Sequence, residues 1–264
     1  MPAQPQTAVV TGAAGGIGRA LATRLASEGV RVVVNDLDAE ALTELAGQIG
    51  AHAVPGDAAS AEGAAALVGA ARAELGQIDV WFGNAGVDVG QGLAATDESW
   101  ALAQEVNVMA HVRAARLLVP GWVERGGGRY VVTASAAGLL TMLGSPVYSV
   151  TKHGAVAFAE WLSATYRHRG VVVQAICPQG VQTAMLDRSG PLQELLSHDA
   201  ALTPDTVADR AWEALGHEEF LVLPHPEVAG YYAARATQTD RWLSGMNRLQ
   251  QRLEDQIRQP GAEG

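Results

Sequence analysis

The sequence predicts an α/β protein: a doubly wound, mostly parallel seven-stranded sheet with helices on both faces. Three observations lead there. Short apolar runs alternate with longer helical patterns along the whole chain. That alternation is what parallel strands joined by right-handed helical crossovers produce. The first apolar run, Thr7–Thr11, passes directly into a glycine-rich turn and then a helical pattern. Finally, Gly12, Asp36, Asp57, Asn84, Ser135 and Pro178 all fall just after the ends of apolar runs, where sheets of this kind bind ligands.

Taken in order, strands are expected near 7–11, 31–35, 51–54, 78–82, 129–133, 171–176 and 220–223. Helices fill the gaps, and several carry visible starts. Asp38 caps 39–49, Ser60 caps 61–75, Thr96 caps 97–104, and Thr203 with Pro204 opens 204–215, because a short polar side chain accepts from an unpaired N–H of the first turn. Ser145–Pro146 reads the same way, with Ser as N-cap and Pro at the first helical position. Residues 224–264, rich in Arg, Gln, Tyr and Trp, form a tail of one or two helices whose last four or five residues are expected to be disordered. No internal boundary or repeat divides residues 1–264, so a single domain is expected.

The turn after the first strand reads Gly12-Ala-Ala-Gly-Gly16-Ile17-Gly18. Glycine lets backbone approach a ligand closely, and the first N–H groups of the following helix face an anion. Strand, glycine turn and helix together make a dinucleotide site. The second strand ends in Asp36, 18 positions after Gly18, near the spacing of the carboxylate that accepts from a ribose 2′-OH. Asp36 would repel a 2′-phosphate, and its neighbour Leu37 and the turn residue Gly15 are uncharged. The reading is NAD rather than NADP.

Tyr148 and Lys152 are four apart, so they share one helix face. A free phenol has a pKa of about 10, and a neighbouring ammonium favours the phenolate. The pair is therefore suited to proton transfer near neutral pH. Ser135, thirteen residues upstream, offers a hydroxyl from a strand end.

These motifs resemble the short-chain dehydrogenase/reductase family in its single-domain form of about 250 residues, with a Rossmann-like fold. Thr11–Gly18 fits the family's TGxxxGxG; Asn84-Ala85-Gly86 fits NNAG, with Gly83 in place of the first Asn. Pro178-Gln179-Gly180-Val181-Gln182-Thr183 is similar to PGxVxT, with one residue inserted after Pro or a shifted Gly. The resemblance covers about residues 5–225. It implies a catalytic tetrad of Asn107, Ser135, Tyr148 and Lys152. Tyr148 would transfer the proton, Lys152 would tune it and hold the nicotinamide ribose, Ser135 would bind the substrate oxygen, and Asn107 would prop a water beside Lys152. It implies NAD contacts from Gly12, Gly16, Ile17, Gly18, Asp36, Leu37, Asp57, Ala58, Asn84, Ala85, Gly86, Tyr148, Lys152, Pro178, Gly180, Val181 and Thr183. Asp57 would meet the adenine amine. The implied chemistry is hydride exchange between NAD(H) and an alcohol or ketone.

The family's pocket is lined by segments that correspond here to 87–93, 136–147 and 179–188. Leu139, Leu140, Met142, Leu143, Met185 and Leu186 make it apolar, with Gln179 beside them, and no charge lies between Ser135 and Tyr148. A neutral, lipophilic secondary alcohol or ketone is therefore expected. Asp88, Gln91, Gln179 and Arg188 are the polar residues that could alter this. Two alternatives are a 3-oxoacyl-thioester reductase, against which Asp36 and the lack of a basic docking cluster count, and a non-catalytic dinucleotide sensor, against which the retained Tyr148 and Lys152 count.

Net charge is −10 and the pI about 5.1, which argues against nucleic-acid and anionic-membrane partners. No apolar run approaches the roughly 20 residues of a membrane span. Met1–Gln6 has no signal-peptide pattern, and the single Cys177 can form no internal disulfide, which together point to the cytoplasm. The seven histidines show no metal-ligand spacing. Phe158, Trp161, Leu162 and Thr165 form a stripe on the helix after Tyr148. In the family this helix packs against its copy, so a homotetramer or dimer is expected.

Overall fold

The computed structural model describes residues 4–187 and 201–258. Arg188, the middle of the expected loop 180–203 and the chain's last six residues lie outside the described residues. Seven parallel strands form one sheet: β1 (Thr7–Thr11), β2 (Arg31–Asn35), β3 (His52–Ala53), β4 (Val80–Gly83), β5 (Gly128–Thr133), β6 (Val171–Ile176) and β7 (Leu221–Val222), in the order β3-β2-β1-β4-β5-β6-β7. The order reverses between β1 and β4, so the crevice for a ligand opens there, at the carboxyl ends of the strands.

The central strands are buried on both faces, which is why they read as continuous Val, Ile and Ala rather than as alternating patterns. One face packs against α3 (Ala61–Leu75), α5 (Ala110–Arg125) and α6 (Pro146–Tyr166) through Leu67, Leu118, Trp122 and Leu162. The other packs against α1 (Gly16–Ser27), α2 (Ala39–Ile49) and α8 (Pro204–Ala214) through Leu21, Leu25, Leu42 and Val207. α4 (Asp97–Gln104), the short α7 (Ala184–Asp187), α9 (Glu227–Thr237) and α10 (Thr239–Arg258) complete the described helices. Among the described residues no helix is long and apolar enough to cross a membrane.

The expected caps of Asp38, Ser60, Thr96 and Thr203 are in place, accepting from Ala41, Gly63, Ser99 and Thr206 N–H. Ser145 is a correction. It sits at the N-cap of α6 with Pro146 next, but its hydroxyl makes no capping bond. Its ψ of 71° is less extended than the 153–159° at three of the side-chain caps. Between α4 and α5 the helix continues through a π turn, Glu105–Met109. Such turns have no compositional signature, so the sequence could not announce this one; they are frequent at functional sites.

Candidate active site

The β1–α1 turn, the end of β4 and the loop after β6 converge on one point. A Cβ at Gly12 (φ +65°) would lie 2.8 Å from Ala85 Cα, and one at Gly18 would lie 2.0 Å from the Gly12 carbonyl oxygen. One at Gly16 (φ +52°) would meet Thr183 Cγ2 at 3.2 Å. Thr11 and Asn84 lock the contact. Thr11 Oγ1 accepts from Asn84 and Ala85 N–H at 3.0 and 3.1 Å, and Asn84 Nδ2 donates to the Thr11 and Gly12 carbonyls, both at 3.1 Å. Asp36, at the end of β2, accepts from Ala14 N–H at 2.9 Å and from Asp38 N–H at 3.2 Å. Its carboxylate is thus held against the glycine turn. Asp57 accepts from Ala59 N–H at 2.8 Å, which fixes the loop after β3.

A continuous cleft of about 1130 Å³ runs from these groups to the chemistry-bearing residues. Of the expected cofactor residues, Gly12, Gly16, Ile17, Asp36, Leu37, Asp57, Ala58, Asn84, Ala85, Gly86, Tyr148, Lys152, Pro178, Gly180, Val181 and Thr183 all line it. Gly18 is the exception: it is buried beneath the turn, and its part is to let α1 press against Gly12.

Ser135, Tyr148 and Lys152 meet in this cleft. Ser135 Oγ donates to the Pro178 carbonyl at 3.5 Å. Ser135 Oγ also accepts from Ala137 N–H at 3.1 Å. Lys152 Nζ lies 5.5 Å from the Tyr148 ring centroid and donates to the Thr133 carbonyl at 2.9 Å. Burial pushes the Tyr148 phenol up to about 12, against the pull of Ser135, and Asp88 pushes it further up. Burial brings the Lys152 ammonium down to about 8, with Cys177 and Asp88 acting in the opposite sense. The expected lowering of Tyr148 by Lys152 is corrected: burial raises the phenol instead. Spacing alone revealed the partner but not how thoroughly both groups are buried.

Asn107 is fully buried in the π turn and does not line the cleft. Its amide donates to the Val87 carbonyl at 2.9 Å and Thr151 Oγ1 at 3.0 Å, and accepts from Val87 N–H at 2.9 Å. It thereby fixes Gly86, whose added Cβ would come within 3.1 Å of Lys152 Nζ.

Leu140, Met142, Leu143, Gln179, Met185 and Leu186 line the cleft as expected. Leu139 is a correction: it is 1% exposed and packs in the core, because the short 3₁₀ turn Ala136–Gly138 rotates it inward. The sequence reading missed Leu102 and Val106, as well as the wall that α9 and α10 supply: Tyr231, Trp242, Met246, Leu249 and Arg252. Their 4-3-3 spacing on α10 marks an amphipathic helix, but periodicity does not reveal which neighbour an apolar face meets. Arg235 fastens this helix pair by donating to the Leu139 carbonyl at 2.6 Å.

The departure at Gly83 has a physical cause. A Cβ there would lie 2.5 Å from His111 Nδ1, so the imidazole occupies the space of a side chain. His111 is buried, and burial, with the Lys152 charge, brings it down to about 3. Cys177 is likewise buried, and its thiol is pushed up to about 12. Among the described residues no group of three His, Cys, Asp or Glu could hold a metal ion.

Comparison with known proteins follows the same lines. The family model for short chain dehydrogenases matches residues 6–193. The chain is 37% identical over 237 residues to a 1-deoxy-11-beta-hydroxypentalenate dehydrogenase of Streptomyces exfoliatus, covering 86% of each chain. It is 35% identical over 188 residues to a putative ketoacyl reductase of Streptomyces coelicolor, covering 68% of this chain and 72% of that one. Among solved structures, a short chain dehydrogenase/reductase from Burkholderia phymatum in complex with NAD superposes with a TM-score of 0.82 at 28% identity, covering 90% of this chain and 95% of the other.

Proposed function

This chain belongs to the short-chain dehydrogenase family, and from that premise we propose that it is an NAD-dependent dehydrogenase of lipophilic secondary alcohols, equally a reductase of the matching ketones. The observation that carries the reading is the meeting of Ser135, Tyr148 and Lys152 in one cleft that Asp36 also lines. The residues present fit a dinucleotide. Gly12 and Gly18 leave no room for side chains where α1 begins, so backbone N–H groups are left facing an anion. Asp36 offers an acceptor to a ribose 2′-OH and repulsion to a 2′-phosphate.

When bound, the nicotinamide supplies the hydride acceptor for oxidation and the hydride donor for reduction. Tyr148 carries the proton to or from the substrate oxygen. With its pKa held near 12 it is fully protonated at neutral pH, ready to donate to a ketone. In oxidation it must first give up its own proton; the phenolate, stabilised by the Ser135 hydroxyl and the Lys152 charge, then takes the substrate hydroxyl proton. Ser135 also donates to the substrate oxygen as charge builds there. Asn107 acts through the backbone it holds at Gly86–Val87. The twelve residues between Ser135 and Tyr148 carry no charge, so the surroundings of the reacting carbon favour neutral, apolar groups.

The chain is read as one catalytic domain, assembling as a homotetramer or dimer in the cytoplasm. A second reading, a 3-oxoacyl-thioester reductase, draws support from the ketoacyl reductase relative. A screen of secondary alcohols with NAD, followed at the nicotinamide absorbance, tests the proposal. Turnover of lipophilic alcohols with NAD over NADP is expected, and Asp36→Ala should narrow the cofactor gap. Activity confined to oxoacyl thioesters, or equal use of NADP, would favour the second reading.

A further inference from the structure

α10 presents Trp242, Met246, Leu249 and Arg252 to the cleft. At 1.5 Å per residue these positions span roughly 15 Å of helix. Three apolar side chains come first, and a guanidinium ends the row. Arg252 is exposed and makes no hydrogen bond or ion pair among the described residues. Among the described residues the other lysine or arginine at the cleft wall, Lys152, is buried and bonded to the Thr133 carbonyl. The acid of the substrate half, Asp88, is the charge that bears on Tyr148 and Lys152. The reacting group thus has one charge of each sign around it, Lys152 and Asp88, while the apolar wall of α10 ends in a cation unpaired among the described residues.

We infer that Arg252 binds an anionic group, a carboxylate, at the distal end of an otherwise apolar substrate whose carbinol carbon sits at Tyr148. The inference rests on the dehydrogenase reading and names the substrate class for it: lipophilic hydroxy acids or their keto forms. Guanidinium suits a carboxylate because its planar fork donates two parallel hydrogen bonds. The expectation of a neutral substrate came from residues 136–147, which border the reacting carbon; α10 adds the group that reads the opposite end.

The test uses 7-hydroxyoctanoate, 9-hydroxydecanoate and 11-hydroxydodecanoate, each beside its carboxamide, with NAD and the full chain. For the best length, kcat/KM for the acid should exceed that for the amide by about tenfold. The ratio should fall to about one in Arg252→Gln and be intermediate in Arg252→Lys. An acid-to-amide ratio near one in the wild type, or a ratio unchanged by Arg252→Gln, overturns the inference while leaving a dehydrogenase that accepts neutral alcohols. No turnover of either series, nor of any neutral alcohol, defeats the underlying reading. NADH and NADPH titrations of Arg252→Gln separate the other anion source: a loss of affinity would assign the guanidinium to cofactor phosphate and overturn the inference. Unchanged titrations support it and show the variant folded.

Discussion

Gly83 and His111 occupy one space between them, and both respond to that fact. An Asn at position 83 would drive its Cβ into the imidazole, 2.5 Å from Nδ1. Overpacking of this kind costs about 1–3 kcal/mol, so Gly83→Asn should lower the urea midpoint, and adding His111→Ala should recover part of the loss. His111 also makes stability depend on pH. Unfolded, its imidazole takes a proton near 6.5; folded, burial holds it down to about 3. Across that window the unfolded state binds more protons, so stability falls as pH drops, by up to about 1.4 kcal/mol per unit from this group. His111→Asn should flatten the slope between pH 6.5 and 3; equal slopes in both proteins would mean the imidazole titrates normally. Tyr148→Phe keeps the ring and removes the transferable proton, so turnover should drop roughly 10²–10⁴-fold with NADH still bound. Tyr148 and Lys152 were legible in the sequence because a helix fixes residues four apart on one face. Their ionisation was not, because burial is a property of everything packed around them.

At the scale of elements, legibility follows how local the cause is. Asp38, Ser60, Thr96 and Thr203 cap helices through bonds three residues long, and the sequence displays both ends of each bond. The β1–α1 turn is equally local. Gly18→Ala there would place a Cβ 2.0 Å from the Gly12 carbonyl oxygen, within backbone that cannot yield cheaply. The expected result is a lower Tm and at least tenfold weaker NADH binding, read by thermal melting and fluorescence titration. The π turn around Asn107 and the docking of α9–α10 were not legible. The first depends on where one extra residue enters a helix. The second depends on Arg235 reaching Leu139, 96 positions away. Leu139 itself shows the limit: an apolar residue beside a pocket motif can face the core or the cleft, and only the turn Ala136–Gly138 decides.

For the whole molecule, the outer face of α6 poses the remaining question. The stripe Phe158, Trp161, Leu162 and Thr165 divides in two. Leu162 is buried in the core, whereas Trp161 is 55% exposed. Phe158 stacks on Trp161 with centroids 6.1 Å apart, and Tyr166 meets Trp161 edge-on at 6.1 Å. Phe158 and Tyr166 are half-buried against the core, so Trp161 is the exposed part of this aromatic cluster, a side chain suited to an interface. A second copy of α6 would cover it, with each copy supplying the same rings across a two-fold axis. Light scattering at micromolar concentration should give a tetramer or a dimer. Trp161→Glu would put a charge in the centre of the buried patch, where an unpaired ion is costly, and should shift the population to smaller species at the same concentration. Because α6 also carries Tyr148 and Lys152 on its inner face, dissociation should reduce turnover in step with the loss of assembly. A wild-type monomer, or a Trp161→Glu protein that keeps its size, would place the interface on another surface.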